Sequence, residues 1–89
     1  MLEITRKSKE KKLTVRIGEL LRETRTDAGL TQTEVATRMG CTQKDISRWE
    51  TGRPMEAAKM FQYVEAVGGD VIAFQTKMMA ATREIFPGL

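Results

Sequence analysis

The sequence predicts an all-α fold: a bundle of four to five helices built around a helix-turn-helix, closed by a short C-terminal strand and helix suited to dimerisation. Three observations carry this. Apolar residues recur at helical spacing through residues 13–67. Thr31 stands three residues ahead of Glu34 in a capping-box arrangement, and Thr42 precedes a second helix with Asp45 in its first turn. Glycines at 29, 40, 52 and 68–69 punctuate the chain where helices must stop or turn.

In chain order, residues 1–12 read as a basic, flexible arm. Residues 1–16 hold Arg6, Lys7, Lys9, Lys11, Lys12 and Arg16 against Glu3 and Glu10, a net +4, so the rest of the chain sums to −1 and the basic excess lies at this end. Such a run is most often a solvated terminus; the functional alternative is an arm that neutralises phosphates. The domain proper spans residues 13–69. A first helix over about 13–28 places Ile17, Leu20, Leu21, Thr24 and Ala28 on one face and ends at Gly29. Two helices follow in residues 32–51. Gly52 ends the second of them, and Pro54 marks where a new helix can begin. The fourth helix, from about Met55 to Val67, sets Ala57, Met60, Phe61, Val64 and Val67 toward the core.

Residues 70–89 are expected to form a dimerisation segment. Val71, Ile72, Ala73 and Phe74, coming after a Gly-Gly break, read as a short strand, and a lone strand needs a partner for its backbone donors and acceptors. Residues 76–86 read as helix, with Met78, Ala81 and Ile85 on one side. Pairing with a second subunit through this segment is the expectation. The alternative is that the tail folds back on its own domain.

The segment 32–51 holds the chemistry. Counting from Gln32, a small residue (Ala36) falls fifth, where two helices at a sharp angle come closest. Gly40 falls ninth, at the turn, where φ > 0 is easiest to place. Val35, Met39, Cys41, Ile46 and Trp49 take the inward positions, and polar residues fill most of the rest. Packing corners in small helical domains use similar residues, but the full set of constraints with a cap before each helix points to a DNA-reading unit.

The run from Ile17 to Arg53, with Gly29-Leu30-Thr31-Gln32 and Trp49-Glu50-Thr51-Gly52-Arg53 as its most specific parts, resembles the lambda-repressor-like, Cro/CI-type (XRE) family of bacterial and phage regulators. The resemblance covers residues 17 to about 68 and implies binding in the major groove of double-stranded DNA. Helix geometry and the resemblance together make Gln43, Lys44, Ser47 and Arg48 the base-reading residues. Glutamine can bond adenine N6 and N7, and arginine or lysine can bond guanine O6 and N7. The resemblance implies that Gln32 meets a phosphate and braces the first residue of the reading helix, and that Arg25 and Glu50 form a structural ion pair. Thr31 and Thr42 put helix N-termini near the backbone, Arg53 reaches phosphate, and Arg38 and Thr51 are weaker candidates for it. Two residues depart from the family pattern. Asp45 puts a negative charge on the reading helix, and Trp49 is larger than the usual aliphatic residue, which leaves the angle of that helix open.

Composition narrows the remaining functions. With no histidine and one cysteine, metal-ligand clusters, Ser-His-Asp triads and disulfide frameworks fall away, so no cofactor, metal or enzymatic activity is expected. Cys41 reads as a small buried apolar residue. No apolar run approaches a membrane span of about 18 residues, and a cytoplasmic protein is expected. Two DNA-binding classes are open: a regulator acting as a homodimer on a palindromic operator, and an antitoxin that regulates its own operon and binds a toxin protein. The order of the last elements resembles HigA-like and HipB-like antitoxins. A third class, an interaction module that has lost DNA binding, is disfavoured because packing does not call for Lys44 or Arg48 on the outward face.

Overall fold

A computed structural model describes residues 2–89, with side chains from Arg6 onward. Five helices follow in order: α1 (Leu2–Asp27), α2 (Gln32–Met39), α3 (Gln43–Glu50), α4 (Ala57–Ala66) and α5 (Val71–Ile85). The long α1 lies against α5 and α3, and α2 packs on α3 and α4. The core is formed by Leu20 and Leu21 of α1, Val35 and Ala36 of α2, Ile46 and Trp49 of α3, Tyr63 and Val64 of α4, Val67, and Phe74 of α5.

The punctuation of the chain is largely local. Thr31 and Thr42 each accept from the backbone N–H three residues on, while the acid at that position, Glu34 or Asp45, accepts from the threonine's own N–H. Both capping boxes are therefore complete. Gly40 sits at φ +70° between α2 and α3, in the left-handed region expected of the turn. Cys41 is half-buried beside the core, and burial pushes its thiol pKa up.

Three features of the structure correct the sequence reading. Residues 2–12, expected as a flexible arm, are the first turns of α1; Met1 lies outside the described residues. The segment 2–17 has neither glycine nor proline and is rich in Lys, Arg, Glu and Leu, which favour helix.

The strand expected at 71–74 is the start of α5. The Asp70 side chain accepts from the Ile72 and Ala73 N–H groups at 2.9 and 3.2 Å, an N-cap that commits the chain to helix. Val71, Phe74, Met78, Ala81 and Ile85 then form one helical stripe against the domain, with Phe74 and Ala81 buried. The tail thus folds back. Phe74, Val71 and Met78 belong to this chain's own core, which removes them from the expected pairing surface; Ile72 and Ala73 stay exposed and Ile85 is half-buried.

The inward face of α4 is also rotated from the expectation. Met60, Tyr63, Val64 and Val67 point inward, whereas Ala57 and Phe61 are exposed. The spacing 60, 63, 64, 67 is the regular helical one, and Tyr63 fits it where Phe61 does not.

Candidate nucleic-acid interface

The reading face is set by what α3 buries. Ile46 and Trp49 face the core and Glu50 is buried at the helix end, which leaves Gln43, Lys44 and Arg48 exposed and Ser47 half-exposed on the opposite side. The four residues expected to read bases therefore share one outward face. Trp49 is accommodated at 9% exposure. Just at its level α3 passes so close to α1 that a Cβ on Gly18 would lie 2.6 Å from the Glu50 carbonyl oxygen and 2.7 Å from that of Trp49. The absence of a side chain at Gly18 brings the end of α3 onto α1 and so contributes to its angle.

Asp45 is occupied by its capping role. The Thr42 backbone N–H, and then the Thr42 hydroxyl, hold its carboxyl below the usual range. It also lies 3.8 Å from Arg53 Nη1, an exposed pair of small energetic value. Such a loose pairing leaves Arg53 free to exchange a carboxylate for a phosphate.

The expected phosphate contacts separate into two groups. Thr31, Gln32 and Thr51 line one open hollow of about 710 Å³ together with Gln43, and Thr42 caps α3 beside Gln43. Arg22 of α1 lines the same hollow, a cation that sequence reasoning did not select. Its place three residues before Arg25 on α1 was the available signal. Thr51 donates its hydroxyl proton to the Ser47 or Arg48 carbonyl, at 2.9 and 3.1 Å, closing the C-terminal end of α3 instead of serving as a free donor. Arg38 lies elsewhere: its Nη1 donates to the Ala66 carbonyl at 2.7 Å, a cation neutralising the C-terminal end of α4.

Behind the hollow sits a buried polar cluster. Arg25 donates to Glu50 through Nε (2.8 Å to Oε2) and Nη2 (2.9 Å to Oε1), and through Nη1 to the Leu30 carbonyl at 2.9 Å. The expected ion pair is thus a bidentate one. Tyr63, absent from the sequence reading of the site, donates its hydroxyl to Glu50 Oε2 at 2.6 Å and lies 3.0 Å from the Leu21 carbonyl. Gln32 Nε2 donates to Glu50 Oε1 at 3.0 Å, and Gln43 Nε2 donates in turn to Gln32 Oε1. Burial alone would push the Glu50 carboxyl up; the hydrogen bonds from Arg25, Tyr63 and Gln32 outweigh it and hold the group below the ordinary carboxylate range. Burial, then the hydrogen bond to Glu50 and that group's charge, pushes the Tyr63 hydroxyl well above its usual range.

Replacing Tyr63 with phenylalanine is expected to cost about 1.5–3 kcal/mol, because a buried carboxylate loses one charge-assisted bond. Urea denaturation of the variant measures it, and a loss under about 0.5 kcal/mol would show that the Glu50 carboxylate does not depend on this donor.

The capped two-helix unit, its left-handed glycine turn and its polar outward face form a helix-turn-helix. The helix-turn-helix domain family matches residues 16–61, just over half of the chain, from α1 through the first half of α4. The chain belongs to this family. Its group is the Cro/CI/XRE-like one, in agreement with the resemblance drawn from the sequence. No curated protein matches the chain. The helix-turn-helix family assignment makes this a DNA-binding regulator by type. Among the described residues, no helix is long and apolar enough to cross a membrane.

Proposed function

We propose that the chain is a sequence-specific transcriptional repressor that binds a palindromic operator as a homodimer. The observation that carries this reading is the division of α3 into a buried face and an exposed one bearing Gln43, Lys44 and Arg48. Nothing in the packing of the core requires those side chains. In this reading α3 lies in the major groove, Gln43, Lys44 and Arg48 meet base edges with Ser47 beside them, and Arg53, Arg22 and the N-termini of α2 and α3 hold phosphates. The exposed basic residues of the first half of α1, Lys7, Lys11 and Lys12 among them, add charge that draws in the duplex.

Support for the dimer comes from α5. Ile72 and Met79 are 75% and 51% exposed, and their seven-residue spacing places them on one face of the helix. A two-fold partner over that face would present two reading helices to half-sites about 10 bp apart or a multiple of it.

Titration of DNA from immediately upstream of the gene, across a salt series and against scrambled DNA, tests the reading. Wild-type binding is expected to be sequence-dependent, and Arg48→Ala is expected to lose about 1–3 kcal/mol of discrimination between operator and scrambled DNA. Full discrimination by Arg48→Ala would remove it from the reading face. Equal binding of both DNAs by the wild type would overturn sequence-specific function.

A further inference from the structure

Away from the reading face, α4 and α5 do not close fully on each other. Between them lies a cavity of about 240 Å³, walled by Ala57, Met60 and Phe61 of α4 and by Val71 and Met78 of α5. Gln75, exposed at its edge, is the one polar side chain that lines it, and among the described residues no charged one does. The walls close around this space further than around the hollow beside the reading face. Water gains little where it finds a single polar partner. A charged molecule would give up its hydration with nothing to replace it. One aromatic ring fills an apolar cavity of about 150 Å³, so a second ring fits here, and the two methionines let the walls adapt to its outline. A peptide helix needs a longer, open groove. The chain's own end does not cover the space: the Leu89 N–H closes a turn on the Phe86 carbonyl at 3.3 Å, and Leu89 is 94% exposed.

We propose that the cavity between α4 and α5 binds a small, uncharged, bicyclic aromatic molecule anchored on the Gln75 amide, and that its occupancy strengthens the pairing of two chains. The second part rests on the homodimer proposed above. Gln75 stands three residues after Ile72 and four before Met79, on the same side of α5. It therefore belongs both to the edge of the cavity and to the proposed pairing face. An occupant supplies the contacts that the first two turns of α5 lack on this side, and it holds Gln75 in one place. A molecule that favours the paired state shifts the chain toward it, and a paired chain presents both reading helices to an operator. The site thus gives a regulator with a single small domain a place for a chemical signal to act.

Indole is the probe, with indole-3-carboxylate as its charged counterpart. Ala57 is exposed and outside the core, so Ala57→Phe blocks the cavity while leaving the fold in place, which thermal unfolding checks. On the full chain with labelled methionine methyl groups, indole is expected to shift Met60 and Met78 saturably and to leave Met39, on α2, in place. The shifts are expected to vanish in Ala57→Phe and with indole-3-carboxylate, and Gln75→Leu is expected to weaken binding about three- to ten-fold. Shifts that do not saturate, or that persist in Ala57→Phe, overturn the site. Met60 and Met78 shifts that follow protein concentration and ignore indole overturn it too, by showing that a second copy fills the cavity. Sedimentation equilibrium is expected to show dimer dissociation falling about five-fold or more with indole. A dimer indifferent to indole overturns the coupling. A chain that stays monomeric throughout overturns the homodimer and the coupling with it, and the methyl shifts still decide whether the cavity binds the probe.

Discussion

Gly18→Ala is expected to destabilise the protein by about 3 kcal/mol or more, against the usual sign for this substitution in a helix. At a free helical position alanine is favoured over glycine by about 1 kcal/mol. At Gly18 the new methyl group would lie 2.6–2.9 Å from three backbone atoms of Trp49 and Glu50. Backbone cannot move aside as a flexible side chain can, so α1 and α3 must separate, at the upper end of the cost of overpacking a core. For a domain of this size each kcal/mol lowers the melting temperature by about 4–8 °C. Thermal unfolding followed by circular dichroism checks this, with Gly88→Ala as control, since a Cβ there meets nothing within 4 Å. A Gly18→Ala protein as stable as the wild type would show that the α1–α3 contact is slack. The separation also tilts α3, so DNA affinity is expected to fall more than thermal stability alone explains.

The second large effect lies at the ion pair. Arg25→Met is expected to cost about 3–5 kcal/mol, because it leaves the Glu50 carboxylate buried without its bidentate partner. The loss measures an abandoned charge and not the net worth of the pair, which a well-packed apolar replacement of both residues could match. It carries a pH signature. In the wild type the folded-state pKa of Glu50 lies below its unfolded value, so its contribution is complete above the unfolded pKa and disappears as pH falls through the folded one. Without Arg25 the largest of the lowering influences is lost, and burial, the largest single influence on the group, is expected to outweigh the remaining bonds from Tyr63 and Gln32 and raise its pKa. Stability of the variant should then rise on acidification over the range in which the wild type begins to lose this contribution. Urea midpoints from neutral pH down to the carboxylate range decide it: parallel profiles would show that Glu50 does not titrate against Arg25. Tyr63→Phe acts on the same carboxylate, so the two substitutions are not expected to add.

Much of the DNA-binding unit was legible because its signals are short-range. A threonine and an acid three residues apart make a capping box whatever surrounds them, and Gly40 meets the turn by its own backbone freedom. The outward face of α3 followed from helical period together with the family resemblance, and Gln43, Lys44, Ser47 and Arg48 fall on it. The failures came where two local readings competed. Val71–Phe74 is β-branched and aromatic, which suggested a strand, but Asp70 caps a helix whose stripe runs on through Met78, Ala81 and Ile85. That stripe was in the sequence, and it became decisive only beside the surfaces of α1 and α4 that cover it. The basic residues of 2–12 were assigned to an arm on charge, a property that a helix carries equally well.

The sequence by itself determined the helix-turn-helix: its caps, its turn, its inward residues and the polar face it shows, all fixed by hydrogen bonds and periods spanning a few residues. Only the tertiary structure decided how that face is held. Glu50 receives Arg25 from 25 residues away, Gln32 from 18 and Tyr63 from 13, while the Tyr63 hydroxyl also lies against Leu21 across 42. No local pattern marks a tyrosine as a donor to a carboxylate on another helix, or a glycine as the point where two backbones meet. Those contacts exist because close packing of five helices brings distant groups within reach, and a carboxylate buried there must then find a partner for every acceptor site it has.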